Sequence, residues 1–449
     1  MATTFRPRTL VLFIGDLFFF LWALWLSLFL RSFELPSEPL FLAHLSAFSF
    51  LFVIWIGVFF IAGLYESRSI ILARRTFSSA VLIAQTINIV IAAIFFFLVP
   101  LFGIAPKTIL FIYLVVSFLA ILFWRTVLFP WLGIQKPEGA IVVGKRKEVD
   151  ELVAALGAAR WAPTKVLATI DPADPKLAET VAQSVATLRP RFIIADWSDA
   201  RVSAAFPELY SFLLQGIRFF DVAYLYEEVF GRAPLSLVDE RWLARNVSRS
   251  AYLLYDPLKR IIDIVFGLSL GIVSLALYPF ICAAIKLEDG GEVFISQDRI
   301  GEGGRVFRIR KFRSMSGNDG GNYGASGVSK LFVTKVGRLL RVSRLDELPQ
   351  LWNVVAGSMS LIGPRPEVPT LVKTYEQAIP FYGVRHLIKP GLSGSAQLYY
   401  HGDPHHGADV SATQEKLSYD LFYLKHRSLT LDLSIGVKTV RRLLIKSNA

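Results

Sequence analysis

The segment that decides the fold of this chain is Ile261–Ile285, IIDIVFGLSLGIVSLALYPFICAAI. It is long and apolar enough to cross a bilayer, which takes about 20 helical residues. Pro279 interrupts it, and a proline inside a helix removes an amide donor and clashes with the preceding turn. Basic residues lie on both sides, beginning with Lys259 before the segment and Lys286 after it. Because basic flanks stay on the cytoplasmic side, we expect a broken helix that enters one leaflet and returns.

Two polar residues fit a re-entrant helix, which we place at 257–286. Ser274 precedes Pro279 by about one turn, where its hydroxyl can satisfy backbone groups that the proline frees. Asp263 lies near the start of the segment, at the expected membrane interface. The alternative is a kinked helix that crosses the bilayer, and it would move every later residue to the opposite side of the membrane.

Residues 1–137 are predicted to form a four-helix transmembrane bundle. The chain of 449 residues is 53% apolar and 13% aromatic, which favours a membrane protein over a soluble one. Four apolar segments reach spanning length, near Leu10–Leu30, Leu45–Leu64, Ala80–Leu101 and Ile109–Phe129. The loop between the second and third segments carries Arg68, Arg74 and Arg75. The positive-inside rule therefore places both ends of the bundle in the cytoplasm.

Asp16 lies inside the first apolar segment. A carboxylate within a membrane span is costly unless it is paired, and it is often functional. Since Asp16 lies near the cytoplasmic end, water or Arg8 can satisfy it, and we expect a structural role.

The net charge limits the kinds of binding partner, and the cysteine content limits the kinds of cross-link and metal site. The net charge of +12 indicates attraction to the anionic cytoplasmic face of a lipid bilayer and to phosphorylated substrates, rather than to nucleic acid, given the long apolar runs. Cys282 is the single cysteine, which excludes an intramolecular disulfide and a zinc site built from cysteines.

Residues 138–250 are predicted to form a Rossmann-like α/β domain. Short apolar runs such as Ala140–Gly144 and Phe192–Ala195 alternate with helical patterns, which is typical of a parallel sheet with crossover helices. The turn after the first run, VVGKRKEVDEL, has one glycine, whereas a dinucleotide site needs several so that the pyrophosphate can reach backbone amides. We favour a regulatory or assembly role over nucleotide binding.

Residues 251–449 carry the candidate chemistry. Asp346 and Glu347 are adjacent and follow a stretch, Phe332–Val342, with the pattern of a basic helix lying on a membrane surface. An isolated pair of this kind is most often a solvated helix cap. Arg341, Arg344 and Arg365 nearby favour a site for an anionic diphosphate instead. One carboxylate can attack phosphorus while the other holds a divalent cation.

The C-terminal part of the chain resembles the bacterial polyprenyl-phosphate sugar-1-phosphate transferases, also called monotopic phosphoglycosyl transferases. The resemblance covers most of 256–449, and the upstream bundle with its α/β insert is similar to the long form of that family. Several motifs in one order are more specific than a single short pattern. Besides the Asp-Glu segment they are Lys259-Arg260-Ile261-Ile262-Asp263, Gln297-Asp298-Arg299-Ile300-Gly301, Lys311-Phe312-Arg313-Ser314-Met315, Lys389-Pro390-Gly391-Leu392-Ser393-Gly394 and Tyr419-Asp420-Leu421.

The resemblance implies a reaction. A UDP-sugar gives its sugar 1-phosphate to undecaprenyl phosphate, and UMP leaves. Asp346 and Glu347 would be the catalytic residues. Asp346 would be the nucleophile, and Glu347 would bind Mg²⁺. Lys311, Arg341 and Arg365 would contact substrate phosphates. The resemblance also implies a mostly helical catalytic domain on the cytoplasmic face of the bacterial inner membrane, with a homodimer favoured.

The sequence departs from the family pattern in one loop, and two other functions stay open. Members commonly carry a turn that contains Asn and Arg where this chain has YYHGDPHH, residues 399–406. The last six of these residues are the His401–His406 loop. This difference bears on sugar selectivity, and we favour solvated histidines there over a metal site. The second hypothesis is a catalytically silent membrane scaffold that recruits glycan-assembly enzymes. A nucleotide-sugar dehydratase or epimerase is disfavoured because the middle domain lacks its glycine-rich turn and its Tyr-x-x-x-Lys pair.

Overall fold

The computed structural model describes most of the chain. The described residues are 7–62, 64–65, 81, 84–92, 94–95, 107–129, 132, 138–158, 164–247, 252, 255–317, 331–400 and 409–446. The chain divides into two compact units, Met1–Val229 and Phe230–Ala449. The loop Arg68–Arg75, the glycine-rich stretch 318–327 and the His401–His406 loop lie outside the described residues.

Three helices in the described part of the first unit are long and apolar enough to cross a membrane, which confirms its membrane-protein character. They are α1 (Pro7–Ser32), α2 (Glu38–Ile61) and α3 (Lys107–Phe123), and α3 continues as a π-helix over Trp124–Leu128. Residues 81, 84–92 and 94–95 of the predicted third span are helical, but the other ten residues of that span, including its end at 96–101, lie outside the described residues. The four-helix bundle therefore stays a prediction.

Asp16 of α1 and Arg125 of the π-helical turn form a fully buried ion pair. The Nε of Arg125 donates to Asp16 Oδ1 at 2.8 Å, and a second guanidinium nitrogen donates to Oδ2. The Tyr65 hydroxyl also donates to Oδ2, at 2.5 Å. The expectation that water or Arg8 satisfies Asp16 is therefore wrong, because the carboxylate is buried and a guanidinium 109 residues away supplies the charge.

The rest of the first unit holds a four-stranded parallel sheet in the order β2-β1-β3-β4. Its central strands are the apolar runs that the sequence predicts, and they are buried on both faces. Arg146, just after β1, pairs with Asp196 at 2.9 Å, and Lys145 pairs with Asp171 at 2.6 Å. The strands are β1 (Glu138–Val143), β2 (Thr164–Ile170), β3 (Phe192–Ala195) and β4 (Arg218–Asp221). The helices are α4 (Lys147–Ala158), α5 (Leu177–Leu188), α6 (Ala200–Leu209), α7 (Ser211–Leu214) and α8 (Val222–Phe230).

The second unit is mostly helical, with two small two-stranded sheets. Its strands are β5 (Phe294–Ile300) and β6 (Val306–Phe312), which are antiparallel, and β7 (Ser360–Ile362) and β8 (Gly391–Ser393), which are parallel. Its helices are α9 (Glu240–Asn246), α10 (Tyr255–Leu275), α11 (Tyr278–Asp289), α12 (Lys335–Ser343), α13 (Leu351–Ala356), α14 (Pro369–Ala378), α15 (Ser395–Tyr399), α16 (Val410–His426) and α17 (Leu429–Lys446). The 3₁₀ turns are Leu235–Leu237, Glu302–Gly304, Leu345–Gln350 and Tyr382–Leu387.

The division between the units falls after Val229, whereas the sequence predicts a boundary after residue 250. The backbone amide of Ala233 donates to the Ser418 carbonyl at 2.8 Å. Trp242 is buried in the same apolar core as Leu417 and Leu421. Residues 233–247 therefore pack on the C-terminal helices, because their apolar side chains complete that core.

The segment Ile261–Ile285 forms two helices, α10 and α11, bent by 53° at a short break. Pro279 lies in the first turn of α11, where a missing amide costs little because no intrahelical partner is needed there. Ser274 Oγ donates to the Gly271 carbonyl at 2.7 Å, one turn before the break. Apolar side chains point outward on both helices, and Val273 and Phe280 are 70% and 74% exposed. This shape fits a broken span or a re-entrant helix.

The inner face of α10 is formed by small and polar residues that pack on α13. Gly267 and Gly271 are both buried on this face. A Cβ added at Gly267 would lie 3.2 Å from Val354 Cγ1, whereas one added at Gly271 would lie 3.5 Å from the Trp352 ring. Only the second distance is an ordinary van der Waals contact.

Gly267→Ala is therefore expected to destabilise the protein by about 1 kcal/mol or more, because Val354 is fully buried and has no room to shift. Gly271→Ala is the matched control and should be neutral or slightly stabilising, since alanine favours the helix by up to about 1 kcal/mol. Thermal unfolding of both variants in detergent micelles tests the difference. Equal midpoints for the two variants would contradict this packing.

Candidate active site

The Asp-Glu segment is a 3₁₀ turn, Leu345–Gln350, between two helices. Thr334 caps the start of α12 by accepting from the Gly337 amide at 2.9 Å, and Arg344 ends that helix in the left-handed conformation (φ 55°). The turn runs directly into α13, and Pro349 lies next to the junction, where the chain changes from a 3₁₀ turn to an α-helix. In a 3₁₀ turn neighbouring side chains point about 120° apart, which separates the two carboxylates.

Glu347 is held by arginines. Arg365 Nη2 donates to Glu347 Oε1 at 2.7 Å, and Arg344 Nη1 lies 3.6 Å from Oε2. Asp346 is 8% exposed. Among the residues that the structure describes, no hydrogen bond to its carboxylate forms. One carboxylate is thus fixed in place while the other is unengaged.

Burial and charge give the two carboxyl groups different acidities. Burial, and then the charge of Glu347, raise the pKa of Asp346 to about 6 against the opposing effect of Lys311, Arg365 and Arg341. Burial also disfavours ionisation of Glu347, but attraction to Arg365 and Arg344 outweighs it and lowers the pKa of Glu347. At pH 7 both groups are mostly ionised, and Asp346 is the better nucleophile because its higher pKa goes with greater basicity.

The structure brings together basic residues that are distant in sequence. Lys311 lies on β6, Arg341 on α12 and Arg365 just after β7, and all three lower the pKa of Asp346 by their charge. Arg341 is oriented by Ser314, whose Oγ accepts from its Nε at 2.9 Å. Guanidinium and ammonium groups arranged around a carboxylate are suited to holding phosphate oxygens against it.

The ion pair between Arg385 and Asp420 supports the backbone of Arg365. Arg385 Nη2 donates to the Arg365 carbonyl at 3.0 Å, and Arg385 Nε donates to Asp420 Oδ2 at 2.9 Å. Both side chains are buried, and the Tyr382 hydroxyl accepts from Arg385 Nη1 at 2.7 Å. Sequence reasoning assigned no role to Arg385 and included Asp420 only as part of a motif. A charged residue in an otherwise apolar run such as YDLFYL was the available signal.

The remaining predicted site residues do not lie at the Asp-Glu turn or are not described. Ser274 and Pro279 belong to the bent helix pair and lie on either side of its break. The histidines of His401–His406 lie outside the described residues. Among the described residues, no group of three or more His, Cys, Asp or Glu side chains is arranged to hold a metal ion.

The donor set fits magnesium in one particular mode. Mg²⁺ commonly binds through one or two carboxylates together with substrate phosphates and water. Asp346 and Glu347 supply carboxylate oxygens beside the basic side chains of Lys311, Arg341 and Arg365. A third protein carboxylate is not needed in this mode, because the substrate would complete the coordination.

The chain belongs to the bacterial sugar transferase family. The profile of that family, described as bacterial sugar transferase, matches residues 254–446, which contain the whole site above. A glucose-1-phosphate transferase of Caulobacter vibrioides, named UDP-glucose:undecaprenyl-phosphate glucose-1-phosphate transferase, is 38% identical over 195 residues, which cover 43% of this chain and 72% of the relative.

Longer relatives match over smaller shares of their length. The UDP-N-acetylgalactosamine-undecaprenyl-phosphate N-acetylgalactosaminephosphotransferase of Aeromonas hydrophila is 37% identical over 267 residues, 58% of each chain. A UDP-glucose:undecaprenyl-phosphate glucose-1-phosphate transferase of Xanthomonas campestris is 38% identical over 183 residues, 40% of this chain and 37% of the relative. The match thus spans less than two thirds of these two relatives.

Proposed function

We propose that this protein transfers a sugar 1-phosphate from a UDP-sugar to undecaprenyl phosphate and releases UMP, which starts the synthesis of a polysaccharide or glycoconjugate. The observation that carries the proposal is the arrangement around Asp346. A nearly buried carboxylate, which accepts no hydrogen bond from the described residues, lies beside an arginine-bound Glu347 and among basic side chains, in a unit that also holds the bent apolar helix pair. The names of the relatives describe this kind of transfer.

In the first half-reaction, an Asp346 carboxylate oxygen attacks the phosphorus that bears the sugar. A new oxygen–phosphorus bond forms as the bond from that phosphorus to the bridging oxygen breaks, and UMP leaves with the electron pair. The product is an aspartyl phosphosugar. Lys311, Arg341 and Arg365 hold the phosphate oxygens and offset the charge that develops on them.

In the second half-reaction, a phosphate oxygen of undecaprenyl phosphate attacks the same phosphorus. The bond to Asp346 breaks, the carboxylate is restored, and the lipid carries the sugar on a diphosphate. The two displacements are chemically alike and use one centre, so ping-pong kinetics are expected.

Glu347 would hold magnesium together with the substrate diphosphate. When bound, Mg²⁺ offsets negative charge on the diphosphate and on departing UMP. Arg365 and Arg344 keep Glu347 ionised and oriented. These same arginines limit how far its carboxylate can turn, so its oxygens stay beside Asp346.

Chelation with EDTA should therefore abolish UMP release, and added Mg²⁺ should restore it. Glu347→Gln should lower the rate by about 10²-fold or more and raise the Mg²⁺ concentration needed for half-maximal rate, because a ligand charge is lost. Titration of UMP release against free Mg²⁺ measures both effects. Glu302→Gln, at an exposed position in a separate turn, is the control. An unchanged Mg²⁺ requirement in Glu347→Gln would remove Glu347 from the metal site.

The proposal extends to the arrangement in the membrane. The bent pair α10–α11 is taken as re-entrant, so that the catalytic unit lies on the cytoplasmic face of the inner membrane, where UDP-sugars are found. The four-span bundle of 1–137, the Rossmann-like character of 138–250 and a homodimer are part of the same proposal. Protease or tag accessibility of the C-terminus in right-side-out spheroplasts tests the orientation, and an exposed C-terminus would defeat the enzyme proposal.

The decisive experiment is a UMP-release screen of the full chain with a panel of UDP-sugars, undecaprenyl phosphate and Mg²⁺, with and without chelator. Release that requires both the lipid acceptor for turnover and Mg²⁺ is expected for at least one sugar. The relatives' names suggest UDP-glucose and UDP-N-acetylgalactosamine as the first sugars to test. A catalytically silent scaffold would release no UMP with any of them.

A further inference from the structure

Arg260 joins the membrane helix α10 to the helix that follows the Asp-Glu turn. Its Nη1 donates to the Val354 carbonyl and its Nη2 to the Val355 carbonyl, both at 2.7 Å. These carbonyls belong to the last turn of α13, where backbone acceptors lack a full set of helical partners. A planar guanidinium with two parallel donors fits two successive carbonyls, and a lysine ammonium does not reproduce this geometry.

The helix end beside Arg260 is shaped to receive a guanidinium. Gly357 follows α13 with φ 92°, a conformation that favours glycine. A Cβ at Gly357 would lie 3.1 Å from Arg260 Nη2. The positive charge also complements the carboxyl end of the helix dipole. The contact between Arg260 and the end of α13 therefore depends on two residues. Arg260 supplies the donors, and Gly357 leaves room for the guanidinium.

The far end of the bent pair is tied to the other side of the Asp-Glu turn. Glu288, near the end of α11, accepts from the backbone amides of Lys335 at 2.7 Å and Val336 at 3.1 Å. These are the first amides of α12, the helix that precedes the turn. The bent pair thus holds the helix before Asp346 with one end and the helix after Asp346 with the other.

These contacts connect both helices that flank the Asp-Glu turn to the bent pair. The outward side chains of α10 and α11 are large and apolar, as expected of a surface in contact with lipid. On the proposed function, the acceptor is a lipid whose phosphate depth is set by the bilayer, whereas the UDP-sugar arrives from water. Only the acceptor step therefore depends on the register between α10 and α13.

We propose that Arg260 is a positioning residue that sets the register of the membrane helix α10 against α13, and so places Asp346 at the depth of the lipid acceptor's phosphate. This inference rests on the proposed function. Loss of the two hydrogen bonds lets α10 shift along α13, and the lipid phosphate then meets the aspartyl phosphosugar at the wrong distance or angle. The donor half-reaction does not sense that shift.

The test separates the two half-reactions in the full chain, reconstituted in lipid nanodiscs. The donor step is measured as stoichiometric UMP release with radiolabelled UDP-glucose or UDP-N-acetylgalactosamine and no undecaprenyl phosphate. The acceptor step is measured by removing free nucleotide and following label transfer from the protein to added undecaprenyl phosphate. Arg260→Gln removes the paired donors, Arg260→Lys keeps the charge, and Arg305→Gln changes an exposed arginine elsewhere in the same unit.

In Arg260→Gln, UMP release per labelled protein should stay near the wild-type rate, while transfer to lipid should slow on the order of 10²-fold, the size of effect that an ångström-scale misplacement produces. Arg260→Lys should lie between the two, and Arg305→Gln should match wild type. Because both rates refer to labelled protein, a loss of folded molecules does not change their ratio. If Arg260→Gln does not fold, the same ratio is read in Arg260→Lys.

Equal slowing of both steps, or an unchanged acceptor step, would overturn the positioning role of Arg260. A wild-type protein that releases UMP and transfers label keeps the proposed function intact in either case. A wild-type protein that releases no UMP with either sugar would instead overturn the proposed function, and the inference with it.

Discussion

Asp346→Asn should abolish the covalent phosphosugar adduct and lower UMP release by about 10⁴-fold or more, because the amide cannot act as the nucleophile. Asparagine has nearly the same shape, and within the described residues no hydrogen bond to this side chain would be lost. The fold should therefore be intact, and the thermal unfolding midpoint should equal or exceed that of wild type, since a buried charge next to Glu347 is removed.

Mass spectrometry of the intact protein after incubation with UDP-sugar and no lipid measures the adduct. Asp298→Asn is the matched control, because Asp298 is an aspartate on the surface of the same unit and pairs with the exposed Arg308 in β6. It should form the adduct as wild type does. Adduct formation in Asp346→Asn, or an adduct mapped to another residue in wild type, would show that Asp346 is not the nucleophile.

Asp420→Asn should lower the free energy of unfolding by roughly 3–5 kcal/mol, because it leaves the Arg385 guanidinium buried without its counter-charge. Replacing both partners by apolar residues, Arg385→Met with Asp420→Leu, should recover most of that stability, since no buried charge is left. Denaturation in micelles with all variants in a double-mutant cycle gives the coupling energy.

Activity should not recover together with stability in that pair of variants. Arg385 also donates to the Arg365 carbonyl, and Arg365 holds Glu347, so the apolar replacement leaves this part of the site unsupported. UMP release should therefore stay well below wild type in the double variant. Full activity in a stable double variant would show that the ion pair serves folding alone.

Local features of the fold could be predicted from the sequence because short-range chemistry dictates them. Pro279 predicts a break, since no helix interior accommodates its ring, and the structure bends close by. The spacing of basic and apolar residues in Phe332–Val342 predicts a helix, which is observed as Lys335–Ser343. Leu345 and Leu348, which flank the Asp-Glu pair, pack against the core that contains Phe312.

Pairings over long sequence distances could not be predicted. Nothing in the pattern of α1 indicates that Asp16 meets Arg125, because helical periodicity gives the face of a residue but not its neighbour on another helix. For the same reason, the contact of Arg260 with α13 and the support of Arg365 by Arg385 could not be predicted from the sequence. The 3₁₀ form of the Asp-Glu turn was also missed, because its residues are compatible with an α-helix.

The Asp16–Arg125 pair has a consequence for how the protein is made. During synthesis α1 leaves the ribosome long before Arg125 exists, since 109 residues separate the two. Until then the translocation machinery handles a hydrophobic segment that carries an uncompensated acid, which makes its insertion less favourable. We therefore expect α1 to be stably inserted only after the helix that carries Arg125 has been made. A single pair of opposite charges thus sets the order in which these helices insert.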